Sequence, residues 1–327
     1  MRTTTLSTGG QQVGVIGLGC MGMTHSYDLE TPRDHATSIA VIHQALDLGM
    51  TLIDTADVYG PYTNEELVGR ALANGHRDRA VLATKVGLVS DTVQVANPGN
   101  SFPGAARNGR PEHVRQSIDA SLRRLRTDHV DLYQLHRVDP QVPLEDTWGA
   151  MAQTVAAGNA RSIGLSEVTV DEIKRAQAVH QVTSVQSELS LWTQDALADV
   201  VPYCERHGIA FLPFSPLGRG FLAGRFTSAD DLPKEDFRRG LPRFQEEALL
   251  ANLAIVDRVR AVAERVGATP AQVALAWVLA RGRYVVPIPG TKTPEYLADN
   301  AGAAGVELSP SDLAGLDTVP APVGTRY

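Results

Sequence analysis

A single (β/α)8 barrel spanning residues 1–327 is the fold this sequence predicts, on three observations. Short apolar runs of strand length alternate with amphipathic helical stripes, eight units in all, the order expected when each strand is followed by a helix packed on it. No shift of charge or composition divides the chain into halves. Ionisable residues fall where successive strands end, at Asp54, Lys85 and His136, and the ends of barrel strands are where such folds build their sites.

Residues 1–12 are polar and centred on Gly9-Gly10, which predicts a small hairpin ahead of the barrel. Residues 13–18 read as the first strand. They run into Gly17-Leu-Gly19-Cys-Met-Gly22, which matches the dinucleotide fingerprint G-x-G-x-x-G. That fingerprint needs a helix starting among its glycines, and no apolar stripe follows before Ile39. The preferred reading is therefore a loop whose small residues let a backbone approach a ligand.

A helix carrying Ile39, Ile42, Ala45 and Leu46 stops at Gly49, and residues 51–53 form the second strand. Thr63-x-x-Glu66 has the spacing of a capping box and opens a helix with Leu67, Val68, Ala71 and Leu72 inward. The third strand, residues 80–85, ends on Lys85. Residues 86–109, rich in Gly, Asn, Ser and Pro, form a loop of the length usually reserved for function. A helix from Pro111 places Val114, Ile118, Leu122 and Leu125 on one face, and the strand at 130–135 leads to His136.

Leu144, Trp148, Met151 and Val155 make the next helical stripe, Gly158 stops it, and residues 161–165 form a strand ending on Ser166 and Glu167. A second capping box, Thr169-x-x-Glu172, opens the helix before the strand at 184–186. A helix at 197–204 stops at Gly208, and residues 209–214 are the seventh strand. After an irregular stretch at 217–244 and an apolar helix to Val266, Thr269-Pro270 begins the helix that precedes the last strand, 284–288. The helices of this last region exceed what the alternation needs, so extra helices near the C-terminus are expected.

A chain of 327 residues, 43% hydrophobic, can bury a full core. Its formal charge of −7, with acids and bases interspersed, argues against nucleic acid or an anionic membrane as the main partner. Cys20 and Cys204 form neither a disulfide framework nor a zinc spacing, so a reducing, cytoplasmic setting is expected. There is no signal-like start and no apolar run approaching the roughly 18 residues of a membrane span. A metal site is not expected, since clustered His ligands are lacking. Oligomeric state does not follow from the sequence.

Asp54 and Tyr59 lie just past the second strand, in Ile53-Asp54-Thr55-Ala56-Asp57-Val58-Tyr59-Gly60. A tyrosine donates protons near neutral pH only when something lowers its pKa from about 10, and a cation is the usual means. Lys85, ending the next strand, supplies that cation, and Asp54 can hold its ammonium. Singly, each residue has a plainer reading: a turn-capping Asp, a snorkelling Lys, a hydrogen-bonded His. Their convergence on one barrel mouth favours chemistry.

These residues resemble the aldo-keto reductase family nearly end to end. The further motifs are Ala83-Thr84-Lys85, Asp131-Leu-Tyr-Gln-Leu-His136, Ile163-Gly-Leu-Ser166-Glu167, Val185-Gln186 and Ile288-Pro-Gly290-Thr-Lys292. The run His136-Arg137-Val138-Asp139-Pro140, Leu191-Trp192 and Gly324-Thr-Arg-Tyr327 look most like the pyridoxal-reductase-like and auxin-induced-type branch.

The resemblance implies an NADPH-dependent reductase of aldehydes or ketones. In it Tyr59 protonates the carbonyl oxygen, Lys85 and Asp54 tune Tyr59, and His136 orients the carbonyl. It further implies that Ser166 and Gln186 hold the cofactor carboxamide and that Phe214 stacks on the nicotinamide. For Phe214 plain core packing competes, since it ends an apolar strand.

Gly22, Met23, Ser215, Leu217, Gly218, Arg219, Gly220 and Gly290 should line the cofactor, with Lys292 on its 2′-phosphate and Asp299 and Asn300 on the adenine. Thr293 and Tyr296 stand where relatives often carry Arg, so NADH is a possible, weaker-bound cofactor. Val58, Trp192, the 86–109 loop and the C-terminal tail are expected to shape the substrate pocket. A rival reading is a redox-sensing regulatory subunit with slow turnover, and a more distant one is a metal-dependent barrel hydrolase.

Overall fold

The computed structural model describes residues 1–24, 27, 34–89 and 106–327. A hairpin of β1 (Thr3–Thr5) and β2 (Gln12–Gly14) precedes seven parallel strands hydrogen-bonded in sequence order. These are β3 (Leu18–Gly19), β4 (Leu52–Asp54), β5 (Val81–Val86), β6 (Val130–Leu135), β7 (Ala160–Ser166), β8 (Ser184–Glu188) and β9 (Ala210–Phe214). Helices alternate with them: α1 (His35–Asp47), α2 (Thr63–Ala71), α3 (Pro111–Leu125), α4 (Leu144–Ala156), α5 (Val170–Gln177) and α6 (Val200–His207). Beyond β9 come α7 (Glu246–Val266), α8 (Pro270–Leu279), α9 (Pro294–Gly302) and α10 (Pro310–Asp317); α8 and α9 flank residues 284–290 and complete the alternation, and α7 and α10 are the extra helices expected near the C-terminus.

Residues 284–290 close the barrel between β9 and β3. On one side Phe211 N–H donates to Tyr284 O at 2.9 Å, and Ile288 N–H donates to Pro213 O at 3.0 Å. On the other, Gly17 N–H and Gly19 N–H donate to Pro287 O at 2.9 Å and Pro289 O at 3.3 Å. The expected eighth strand is thus present as a bonded segment held by isolated bridges only. The residues whose N–H groups would face β3 are the prolines themselves, which have none to give, so a regular ladder cannot form.

Two other local expectations need correcting. Residues 13–18 are not one strand: their start completes the hairpin and only Leu18 reaches the barrel ladder. Leu6 and Val13 of the hairpin join Leu52, Val81, Leu132 and Leu212 in one apolar cluster, so the hairpin plugs the barrel floor. Thr63 does not cap α2. Tyr62, at φ 66, is the N-cap, and the Thr63 hydroxyl instead donates to Gly60 O at 2.7 Å, closing the preceding turn. Thr63 is already helical, whereas a cap needs the extended backbone that Thr169 and Thr269 have; both of those form full capping boxes.

Strand periodicity places the site. Every second residue of β4, β5 and β6 points into the barrel, where Leu52, Val81, Ala83 and Leu132 are apolar and the next inward positions are Asp54, Lys85 and Gln134. A dry floor therefore carries a polar upper layer. The third strand is tied to its helices by buried Glu65 of α2, which accepts from Thr84 Oγ1 and from Arg124 Nε of α3, each at 2.6 Å. Removing one member of a buried ion pair costs about 3–5 kcal/mol because the other charge stays desolvated. Arg124→Met should accordingly lower the stability measured by urea unfolding by about 3 kcal/mol; a loss below about 1 kcal/mol would show that Glu65 does not depend on this partner.

Candidate active site

At the C-terminal end of the strands the loops surround a cavity of about 670 Å³, a size common for small-molecule and cofactor sites. Asp54, Tyr59 and His136 line one end of it. Lys85 lies behind them and is wholly buried. Its ammonium donates to Asp54 Oδ1 at 2.5 Å, Thr55 O at 2.8 Å and Tyr59 OH at 3.2 Å, which uses all three of its hydrogens. Asp54 Oδ2 in turn accepts from Gln186 Nε2 at 2.9 Å and Gln134 Nε2 at 3.2 Å. Gly164, between Gln134 and Ser184, makes this layer possible: a Cβ there would stand 2.2 Å from Ser184 Oγ.

The electrostatics depart from the sequence-based expectation at Tyr59. Burial raises its pKa above the usual phenol value; Lys85 draws it down, Asp54 pushes it up, and the net result is a rise. Lys85 limits the cost of burial without reversing it. Burial is also the largest influence on Lys85 and favours the free amine, but Asp54 and Tyr59 together outweigh it and raise its pKa.

His136, whose ring meets that of Tyr59 edge-on at 5.8 Å, is pushed well below the usual histidine range by burial, with Arg137 and Lys85 adding to the effect. It is a neutral imidazole near pH 7, able to donate one hydrogen bond.

The other expected positions spread along the same cavity. Gly22, Ser166, Gln186, Phe214, Ser215, Leu217, Arg219, Gly220, Gly290, Lys292, Asp299 and Asn300 all line it. Gln186 has its amide nitrogen committed to Asp54, and Asp299 accepts from the Thr269 hydroxyl at 2.9 Å. Met23 and Gly218 are not in the lining. Met23 belongs to the core, and Gly218, at φ +56, sits where a Cβ would come within 2.7 Å of the Trp192 indole nitrogen.

Val58 and Trp192 are likewise buried outside the lining; Trp192 stacks on Phe221 at 4.4 Å. Most of the 86–109 loop lies outside the described residues, while the tail does reach the cavity, through Tyr327.

The fingerprint glycines serve the barrel wall. A Cβ on Gly17 would meet Leu52 O at 2.9 Å, and one on Gly19 would meet Ile288 O at 2.9 Å. Their smallness lets β3 sit between neighbouring backbones of the same barrel, and of the three glycines Gly19 and Gly22 also touch the cavity.

Sequence reasoning missed Gln134, Arg137 and Arg225. Gln134 had a signal, lying two residues before His136 on the same face of the strand. Arg137 had one too, as the residue following His136. Arg225, which lines the cavity as Lys292 does and whose guanidinium stands 4.2 Å from the Tyr296 ring centroid, follows a run of irregular backbone that no periodicity describes.

The depressed His136 pKa has a stability consequence. Below an unfolded value of about 6.5 the unfolded chain takes up a proton that the native His136 refuses, so stability falls as pH drops through that window. The slope is about 1.4 kcal/mol per pH unit for one such group. Urea unfolding at pH 7.5 and 5.5 should show a smaller pH-dependent loss for His136→Asn than for the unaltered chain; equal losses would mean that His136 titrates normally.

The model of the aldo/keto reductase family matches residues 15–320. A curated relative from Glycine max, described as a probable aldo-keto reductase 1, is 44% identical over 308 residues, covering 94% of this chain and 86% of the relative. Among solved structures, a glycerol dehydrogenase from Gluconobacter oxydans superposes with a TM-score of 0.84 at 29% identity, over 96% of this chain and 94% of the other. An aldo/keto reductase from Klebsiella pneumoniae, solved with NADP and acetate, gives 0.72 at 28% identity over 98% and 97%. With a family model over nearly the whole chain, a close relative and a barrel whose mouth gathers Asp54, Tyr59, Lys85 and His136, the chain belongs to the aldo/keto reductase family.

Proposed function

We propose that this chain is an NADPH-dependent reductase of aldehydes or ketones in which Tyr59 is the general acid. The observation that carries the reading is the 3.2 Å contact in which the buried Lys85 ammonium donates to the Tyr59 oxygen. Because the ammonium is the donor there, the phenolic hydrogen must point to a different acceptor, the sense required of a proton donor. When that proton leaves, the phenolate stands against a fixed cation whose counter-charge, Asp54, is already paired. The neutral imidazole of His136, in the same cavity end, donates to the carbonyl oxygen and so holds the reacting group toward Tyr59.

The residues present fit a nicotinamide dinucleotide. The cavity runs from Tyr59 past Ser166, Gln186 and the ring of Phe214 to a cationic end at Lys292 and Arg225. When bound, the cofactor supplies the hydride. Ser166 presents its hydroxyl and Gln186 its amide oxygen to its carboxamide, and Phe214 offers an aromatic face to its ring. At the far end Arg225, braced on Tyr296, replaces the charge that the sequence lacks at position 296 itself. Two cations there favour the 2′-phosphate of NADPH over the hydroxyl of NADH. The NADP held by the Klebsiella pneumoniae relative supports this preference.

Tyr59→Phe should leave NADPH binding within a few-fold of the unaltered chain while turnover of 4-nitrobenzaldehyde falls at least about a hundredfold, the scale of a lost general acid. Turnover within a few-fold would remove Tyr59 from the mechanism. At the other end, a charge-assisted hydrogen bond contributes about 1.5–3 kcal/mol, or roughly ten- to a hundredfold in affinity. Lys292→Met should therefore weaken NADPH by such a factor and barely change NADH, measured by fluorescence titration, with Arg225→Met producing a smaller loss of the same selectivity. Equal weakening of both cofactors would rule out phosphate recognition.

A further inference from the structure

Three guanidinium groups, Arg137, Arg219 and Arg238, line the cavity and a fourth, Arg326, adjoins its lining residue Tyr327; all but Arg137 are neutralised by carboxylates. Arg219 pairs with Glu188 at 3.5 Å and Arg238 with Asp236 at 2.6 Å. Arg326, from the C-terminal tail, pairs with Glu188 at 3.1 Å and also with Glu167. Arg137 differs: among the described residues no carboxylate lies within ion-pair distance of it. Both hydrogen bonds it donates leave from Nη1 and end on neutral oxygens, His136 O at 2.6 Å and Ser166 Oγ at 3.2 Å. Its Nε and Nη2 hydrogens have no acceptor among the described residues, and Arg137 lines the same cavity as Tyr59, His136 and Tyr327.

Arg137 is half-buried, and a guanidinium partly withdrawn from water without a counter-charge beside it gains when an anion docks against it. Burial lowers the Arg137 pKa, Glu167 and the phenols of Tyr327 and Tyr59 pull it back up, and Arg326 adds to the lowering. Tyr59 in turn feels the Arg137 charge. The cation thus sits one residue from the imidazole assigned to the carbonyl and within electrostatic reach of the proton donor.

We infer that the carbonyl substrate of this site carries a carboxylate, as in a carboxyl-substituted aldehyde, and that Arg137 binds it. This rests on the carbonyl-reductase reading above. The planar fork of Arg137 matches a carboxylate, with Nη2 and Nε as the donors, while Nη1 stays on His136 and Ser166. His136 and Arg137, adjacent on one strand end, then fix the two polar ends of one small molecule. Binding an anion there also brings the charge balance at this mouth closer to neutrality.

The test compares 4-carboxybenzaldehyde with the neutral 4-nitrobenzaldehyde, using the full chain, Arg137→Gln and Arg137→Lys under saturating NADPH. The unaltered chain should prefer the carboxylate in kcat/KM, and Arg137→Gln should reduce that preference about ten- to a hundredfold, chiefly through KM, as expected for a lost charge-assisted bond. Arg137→Lys, which keeps the charge without the fork, should recover part of it, and added salt should erode the preference of the unaltered chain.

No preference for the carboxylate in the unaltered chain, or equal losses on both aldehydes in Arg137→Gln, would overturn the proposal and leave Arg137 as a support for Ser166. Failure of the unaltered chain to reduce even the neutral aldehyde would instead count against the carbonyl-reductase reading, so the two failures are told apart.

Discussion

The buried pair of Lys85 and Asp54 is the constraint on which the site is built. Two charges taken out of water cost several kcal/mol each, and their mutual attraction offsets this only when the remaining donors and acceptors are satisfied. Here every hydrogen of the ammonium has an acceptor, and both carboxylate oxygens have donors. That requirement dictates what may stand around them. Gln134 must be polar on a strand whose lower inward position, Leu132, is apolar, Gln186 must be polar above Ser184, Gly164 must lack a side chain, and the backbone must offer Thr55 O at the turn out of β4. The polar layer exists because the pair does.

Tyr59 inherits its properties from the same arrangement. Burial and Asp54 favour the neutral phenol while Lys85 favours the phenolate, and the sum lies on the side of the phenol. A site that lowered the phenol pKa outright would hold a phenolate at rest, with no proton to give. A phenol kept protonated, beside a cation that stabilises its conjugate base only once formed, suits donation to a developing alkoxide. The sequence showed that a cation was available, but the sign of the sum depended on how completely Tyr59 is enclosed, and no local pattern reports that.

Much of the fold was legible because it rests on period and punctuation. Apolar stripes, Gly49, Gly158 and Gly208 at helix ends, and Pro111 and Pro270 at helix starts fix the elements without tertiary knowledge. What failed depended on partners distant in sequence. The split of residues 13–18 is decided by the hairpin on one side and β4 on the other, and the irregular closure at 284–290 by which face the prolines present. At the site, strand-end residues could be collected by position, and Asp54, Lys85 and His136 were. Arg225 could not, because a backbone with positive φ at Ser215, Gly218, Arg219 and Gly220 has no period from which to project a side chain. Trp192, expected to shape the substrate pocket, is instead kept beneath the surface by stacking on Phe221 and the edge of Phe244, partners distant in sequence.

The distribution of charge within the cavity then follows a rule that the net charge conceals. The chain carries a formal −7, yet among the described residues three cations lining this cavity have no carboxylate partner: Arg137, Arg225 and Lys292. The cations that do have partners are built into the wall. Arg219 and Arg326 share Glu188 and thereby dock the C-terminal tail, bringing Tyr327 over the mouth. Pairing makes a cation structural, since its field is cancelled nearby; an unpaired one keeps its field and directs it into the space it faces. Low-dielectric walls focus such fields, so a cavity in an acidic protein can still concentrate anions. Arg225 stands against Tyr296, four residues after Lys292 in the chain, while Arg137 follows His136, a disposition that fits the dinucleotide and the small carbonyl compound proposed above.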